Sequence, residues 1–248
     1  MTQPQASRAE NAGVLVCYGL TSVAMALAWH IELPSGLWIG NGIAVVVGLI
    51  SGMWIARKQA RPLWQRWRQQ LAYGVLLGVV LAAVTQLTAR ELLLSIPPVR
   101  AELVRLYGLL DTPPGPIWAS PILLLVVLTE EFVFRGVVTT WLERRLPLAR
   151  STHSDALGIG ALARSTSPRS KRRSDAAWRT RRSILIVVTS SLLYTLPLLG
   201  SGSSLLVAIG LGLGAIWTAA RLLSGGLIVP LVSHVLFSLS TFVCLRVL

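Results

Sequence analysis

The chain has 248 residues, of which 53% are hydrophobic and only 13% charged, with a mean hydropathy of +0.65. A soluble domain carries about 45 to 50% apolar and about 25% charged residues, so a water-coated globule, a disordered chain and a disulfide scaffold are all excluded. The net charge of +13 would point to nucleic acid in a soluble protein, but the basic residues cluster between apolar spans as cytoplasmic loops do, and no nucleic-acid partner is expected.

Apolar stretches of about 17 to 25 residues suffice to cross a bilayer as helix, and about seven occur. They run from about 13 to 29, 37 to 56, 71 to 89, 116 to 142, 184 to 199, 203 to 220 and 226 to 246, with ends uncertain by a few residues. The alternating pattern of a membrane barrel is absent, and an open sheet leaves its edges unsatisfied in lipid. The expected fold is all-α, a polytopic transmembrane helix bundle.

The first span competes with a cleaved signal peptide, because Ala24, Ala26 and Ala28 supply small residues; against it, the leader carries Glu10 beside Arg8. Cys17 here and Cys244 in the last span lie within apolar runs and read as buried filler. The second span ends in Arg57, Lys58, Arg61, Arg66 and Arg68, where Trp64 and Trp67 are suited to an anionic leaflet. After the third span, residues 90 to 115 hold Glu91, Glu102 and Asp111, and Val99, Leu103, Leu106, Tyr107 and Leu110 fall at near-helical spacing. A short helix lying on the membrane is expected there. Trp29, Trp38, Trp54, Trp118 and Trp141 fall near span ends, the place of an aromatic belt, with core packing as the alternative for some of them.

The fourth span contains Thr129-Glu130-Glu131-Phe132-Val133-Phe134-Arg135-Gly136. Each charged residue at a helix centre costs about 2.5 to 3.5 kcal/mol to insert, and such residues are functional by default. Glu131 and Arg135 stand four apart in the favourable order for an ion pair. Glu130 points elsewhere on the helix and is free for general-base work. The bland alternative is that all three charges only pin helices together.

A second basic cluster follows, from Arg144 to Arg182. Residues 151–182 read as a disordered cytoplasmic loop, too poor in apolar side chains to offset ordering entropy. The chain divides into N-terminal helices over 1–112 and a core over 113–248. Both basic clusters lie on one side, which places the N-terminus in the cytoplasm and suggests a bacterial inner (cytoplasmic) membrane. Gly48 and Gly52, Gly74 and Gly78, and Gly210 and Gly214 have the spacing that lets helices approach closely. The seventh span adds His234, with Ser238 one turn beyond. A neutral imidazole there donates to an oxyanion or holds a water, or is simply hydrogen-bonded inside the bundle.

These residues resemble the CAAX-protease and bacteriocin-processing group of intramembrane endopeptidases, which includes the Ras-converting CAAX endopeptidase. That family's pattern is Glu-Glu-x-x-x-Arg, then Phe-x-x-x-His, then His-x-x-x-Asn, each on its own span. Glu130, Glu131 and Arg135 match the first element, and His234 opens the third. The resemblance implies a helical protease in which Glu130 activates water, His234 positions water or stabilises the oxyanion, and Glu131 with Arg135 braces the site. The departures are Tyr194 for phenylalanine and Leu198 for histidine in Tyr194-Thr195-Leu196-Pro197-Leu198, and Ser238 for asparagine. Tyr194 is the candidate substitute for the missing histidine. The family is often described as metal-dependent, but only Glu130 and His234 present themselves where zinc takes three protein ligands, so neither metal nor cofactor is expected. The expected partners are the lipid bilayer and a peptide or membrane-protein substrate. A pseudoprotease that binds or scaffolds a membrane partner is the alternative, motivated by Leu198; a transporter is disfavoured because no inverted repeat is evident.

Overall fold

The structure is a computed structural model that describes residues 8–31, 36–59, 66–91, 95–110, 116–146 and 168–244. Among these residues every regular element is helical. In chain order they are α1 (Arg8–Ala28), α2 (Gly36–Gln59), α3 (Trp67–Glu91), α4 (Pro97–Leu110), α5 (Pro116–Glu130), a π-helical segment (Glu131–Val138), α6 (Thr139–Arg145), α7 (Pro168–Thr195), a 3-10 segment (Leu196–Ser201), α8 (Ser204–Ser224), α9 (Ile228–Leu239) and a terminal π-helical segment (Ser240–Cys244). The apolar run expected from 116 to 142 is therefore a single rod whose middle turns are π rather than α. Four stretches, Ala9–Ala28, Trp67–Glu91, Trp178–Ser201 and Ser204–Ser224, are long and apolar enough to cross a membrane, with shorter apolar helices at Leu37–Met53 and Ile228–Phe242.

The burial pattern is that of a bundle in lipid. Ile50, Leu76, Leu87 and Leu223 are exposed, while Thr21, Glu131, Arg135, Thr139, Thr218 and Ser233 are completely buried. Lipid accepts the apolar rim, and the polar groups find partners only between helices. Small residues let those helices close up. A Cβ on Gly74 or Gly78 of α3 would stand 2.9 Å from the side chains of Val232 or Leu236 on α9, and one on Gly214 of α8 would stand 2.9 Å from the Tyr194 ring. Gly78→Ala is accordingly expected to lower the stability of the detergent-solubilised protein by about 1 to 3 kcal/mol through overpacking. Gly19→Ala, which meets nothing within 4 Å, serves as the neutral control. Equal unfolding midpoints for the two variants would contradict the close α3 and α9 packing.

Polar clasps hold each end of the bundle. At one end Arg144 pairs with Glu10 at 2.5 Å, the Trp141 indole donates to Asn11 Oδ1 at 2.8 Å, and Arg182 donates to the carbonyls of Leu146 and Glu143. At the other, Arg105 donates to the Ser201 carbonyl at 3.3 Å, Glu102 accepts from the Leu205 N–H, and Tyr107 donates to the Thr241 carbonyl.

One expectation changes here and two gain detail. The amphipathic helix expected near 97 to 110 is present as α4 and docks onto the bundle end through Glu102, Arg105 and the buried Tyr107. α7 starts at Pro168, so the basic stretch from 168 to 182, expected to lack structure, continues a helix; residues 151–167 lie outside those described. Of the span-end tryptophans, Trp38 is buried in the bundle, as the core-packing alternative has it, Trp141 is clasped to α1, and the side chains of Trp54 and Trp118 are outside the described set, as are Trp64 and the side chain of Cys244. Cys17 is free and buried.

Candidate active site

The site forms where α5 gives way to the π-helical segment. The widened turn is visible at its far end, where both the backbone N–H and the hydroxyl of Thr139 donate to the Phe134 carbonyl, five residues back. Such π-turns are frequent at functional sites because they re-aim side chains. Here the change of winding falls between the two glutamates, and their carboxylates go to different partners.

Glu131 is completely buried and holds two groups through one oxygen. Its Oε1 lies 3.3 Å from Arg135 Nη1 and 2.8 Å from His234 Nδ1. The Arg135 guanidinium carbon also sits 4.2 Å from the centroid of the Tyr194 ring and 5.5 Å from that of Trp217. Aromatic faces stabilise a desolvated cation of this kind. Among the described residues, no hydrogen bond reaches Arg135 Nε or Nη2; the Glu131 carboxylate, the two rings and, through space, the Glu130 carboxylate balance its charge.

Glu130 instead accepts a 3.0 Å hydrogen bond on Oε2 from the Tyr194 hydroxyl. The same oxygen lies 3.7 Å from His234 Nε2, which is longer than a hydrogen bond. His234 is stacked on Trp217 with ring centroids 3.6 Å apart and planes 24° from parallel. With Glu131 ionised against Arg135, the proton of a neutral His234 is assigned to Nδ1, which donates to Glu131 and leaves the Nε2 lone pair turned toward Glu130.

Glu130, Tyr194, Trp217, His234 and Ser238 line one cavity of about 170 Å³, ample for several waters. Leu198 lines it too, its position set by the 3-10 segment that Pro197 opens. Its side chain packs on Gly210, while the neighbouring glycine Gly214 admits the Tyr194 ring. Asn41 and Trp38 of α2 and Met25 of α1 complete much of the wall, so N-terminal helices contribute to the site.

All six residues singled out in the sequence thus converge: Glu130, Tyr194, His234 and Ser238 at the cavity, Glu131 and Arg135 directly behind it. Trp217, which fixes the imidazole plane, was missed. Little in the sequence singles it out, since Trp217 lies three residues from the end of the span expected over 203 to 220, a place where a tryptophan reads as interfacial. The hydroxyl cluster of Thr139, Ser190 and Thr218 behind Arg135 had no motif to announce it. Among the described residues no three His, Cys, Asp or Glu side chains are grouped to hold a metal ion; Glu130 and His234 supply two ligands, short of the usual three for zinc.

A family model described as type II CAAX prenyl endopeptidase Rce1-like matches residues 113–240, which span the two glutamates, Arg135, Tyr194, His234 and Ser238. No curated protein and no solved structure matches the chain.

Proposed function

Because the chain belongs to the Rce1-like family of type II CAAX prenyl endopeptidases, an integral membrane protease family, we propose that it hydrolyses a peptide bond of a membrane-associated substrate with water activated by Glu130. The observation that carries this reading is the pairing of Glu130 Oε2 and His234 Nε2, 3.7 Å apart at the wall of one cavity. A water seated against both donates one hydrogen to each and turns a lone pair toward an incoming carbonyl.

As the water attacks the carbonyl carbon, Glu130 takes its proton. The carbonyl oxygen becomes an oxyanion, and Glu130 then delivers the proton to the amide nitrogen as the carbon–nitrogen bond breaks. Glu131 and Arg135 hold His234 in the tautomer that accepts from water, the part that groups behind a reacting imidazole commonly play. The fitting test is hydrolysis of an internally quenched farnesylated peptide ending in Cys-aliphatic-aliphatic-X by the purified protein. Turnover is the expected result. Absence of turnover alongside retained peptide binding would favour the second reading, a peptide-binding pseudoprotease, which the apolar wall at Leu198 supports.

Tyr194 has a part of its own in this scheme. While Glu130 is ionised, the phenol donates to it; once Glu130 carries the proton, the phenol is released to donate to the oxyanion. Its ring is held for this by edge contacts with Phe134 at 5.2 Å and Trp217 at 6.5 Å. Loss of one oxyanion donor costs about 10² to 10³ in kcat. Tyr194→Phe is expected to show that loss with little change in KM, and adding Leu198→His, on the same cavity wall, is expected to recover part of it. An unaltered kcat in Tyr194→Phe would remove the phenol from the reaction.

A further inference from the structure

Most of the cavity wall is apolar, and one polar side chain on it has no part in the scheme above. Glu130, Tyr194, His234 and Ser238 line the cavity, and among the other described residues of its wall Asn41 of α2 supplies the one side-chain oxygen. Asn41 lies outside the stretch that matches the family, 113–240, so no motif marks it. A carboxamide within an apolar span is costly and turns inward, toward other polar groups or a water-filled space.

The orientation of that carboxamide is set. Asn41 Nδ2 donates to the Leu37 carbonyl, one turn back, at 2.9 Å. A carbonyl only accepts, so the nitrogen is the atom that must face it. The helix ladder already uses this carbonyl, and the added bond holds the side chain in place while doing little for the helix. Asn41 Oδ1 is left without a hydrogen bond among the described residues. It is not sealed in packing, as the unpartnered indole nitrogens of Trp38 and Trp217 are, and it belongs to a half-buried residue of the cavity wall. The result is a fixed acceptor open to a ligand.

Its distance from the reaction follows from the packing of α2 on α5. A Cβ on Gly48 would stand 2.5 Å from Thr129 Cγ2, and one on Gly52 would stand 2.8 Å from the Phe132 ring. The two helices therefore run the same way, with Gly48 level with the residue before Glu130. Asn41 lies about 10 Å from that level along α2, at 1.5 Å per residue. An extended chain advances about 3.3 Å per residue, so a peptide with its scissile carbonyl at Glu130 passes Asn41 about three residues away. Its main-chain N–H groups leave water on entering, and each costs free energy unless it finds an acceptor.

We infer that Asn41 is a substrate-binding residue: its Oδ1 accepts one main-chain N–H of the peptide, about three residues from the bond that is cut. The contact reads the backbone and is indifferent to the side chain at that position, and it sets how far the peptide is drawn past Glu130. The register of the cut rests on the endopeptidase reading above; capture of a peptide main chain at Asn41 does not.

The test is a scan in which one amide at a time of the internally quenched peptide, on either side of the cut, is replaced by an ester, which removes its N–H. One replacement, about two to four residues from the cut, is expected to raise KM of the native protein about tenfold, the worth of one buried hydrogen bond. The value of kcat should change little, because the contact is made in the ground state and the transition state alike. Asn41→Ala is expected to raise KM for the all-amide peptide by about the same factor and to be blind to that ester. A scan of the native protein with no sensitive amide overturns the inference without any variant, as does an Asn41→Ala protein that still distinguishes the ester. Affinity of the same peptides for the native and Glu130→Gln proteins separates the two ideas. Turnover without the ester effect removes only Asn41, whereas an ester effect on affinity without turnover removes only the protease.

Discussion

Glu130→Gln is expected to reduce peptide turnover by about 10³- to 10⁴-fold, the upper part of the range for a general acid–base group. The substitution is close to isosteric. A glutamine oxygen can still accept the Tyr194 hydrogen bond that Glu130 accepts at 3.0 Å, so the ring cage and the fold are retained. What is lost is the capacity to take a proton from water and return it to the amide nitrogen. Peptide binding should change little and kcat should fall. Glu130→Asp makes the companion case: it keeps the charge but withdraws the carboxylate by one methylene from both Tyr194 and His234, and should be intermediate. A Glu130→Gln protein with kcat close to that of the native chain would show that the water is activated elsewhere, however well the cavity accommodates substrate.

The same carboxylate shows what a linear reading could and could not reach. Charges in the middle of an apolar span are conspicuous because lipid penalises them, so Glu130, Glu131, Arg135 and His234 stand out in the sequence itself. The pairing of Glu131 with Arg135 followed from helical spacing and is present at 3.3 Å. The separation of the adjacent glutamates was legible from helical rotation; what spacing conceals is that the backbone changes from α to π between them, since nothing in Glu-Glu-Phe-Val-Phe announces a wider turn. Tyr194 and Leu198 were legible only as departures from a pattern. That the phenol would meet Glu130 depends on Gly214 admitting the ring, a contact between α7 and α8 that no local rule supplies. Trp38 follows the other reading of a span-end tryptophan, core packing. A belt rule assigns an aromatic ring near a span end to the interface, whereas Trp38 is drawn into the cavity wall. α4 has the amphipathic pattern of a surface helix, and its docking depends on Glu102 finding the Leu205 N–H in the first turn of α8 and Arg105 the Ser201 carbonyl just before it.

Removal of the charge on Glu131 is expected to damage the fold more than any other single change at the site. Arg135 is completely buried, and Glu131 is its ion-pair partner among the described residues. Leaving one member of a buried pair uncompensated costs about 3 to 5 kcal/mol. Glu131→Gln should therefore lower the unfolding midpoint of the solubilised protein steeply, and activity would fall because His234 loses the carboxylate that sets its tautomer. The double variant Glu131→Gln/Arg135→Met separates the two effects. It removes the stranded cation and leaves a flexible apolar chain against Tyr194 and Trp217, so most of the lost stability should return. Activity should not, because nothing then fixes the proton on Nδ1. If Glu131→Gln were as stable as the native protein, Arg135 would have to be balanced by its aromatic faces and the neighbouring Glu130 carboxylate without Glu131. Recovery of activity in the double variant would instead make the pair behind His234 a structural pin with no part in orienting the imidazole.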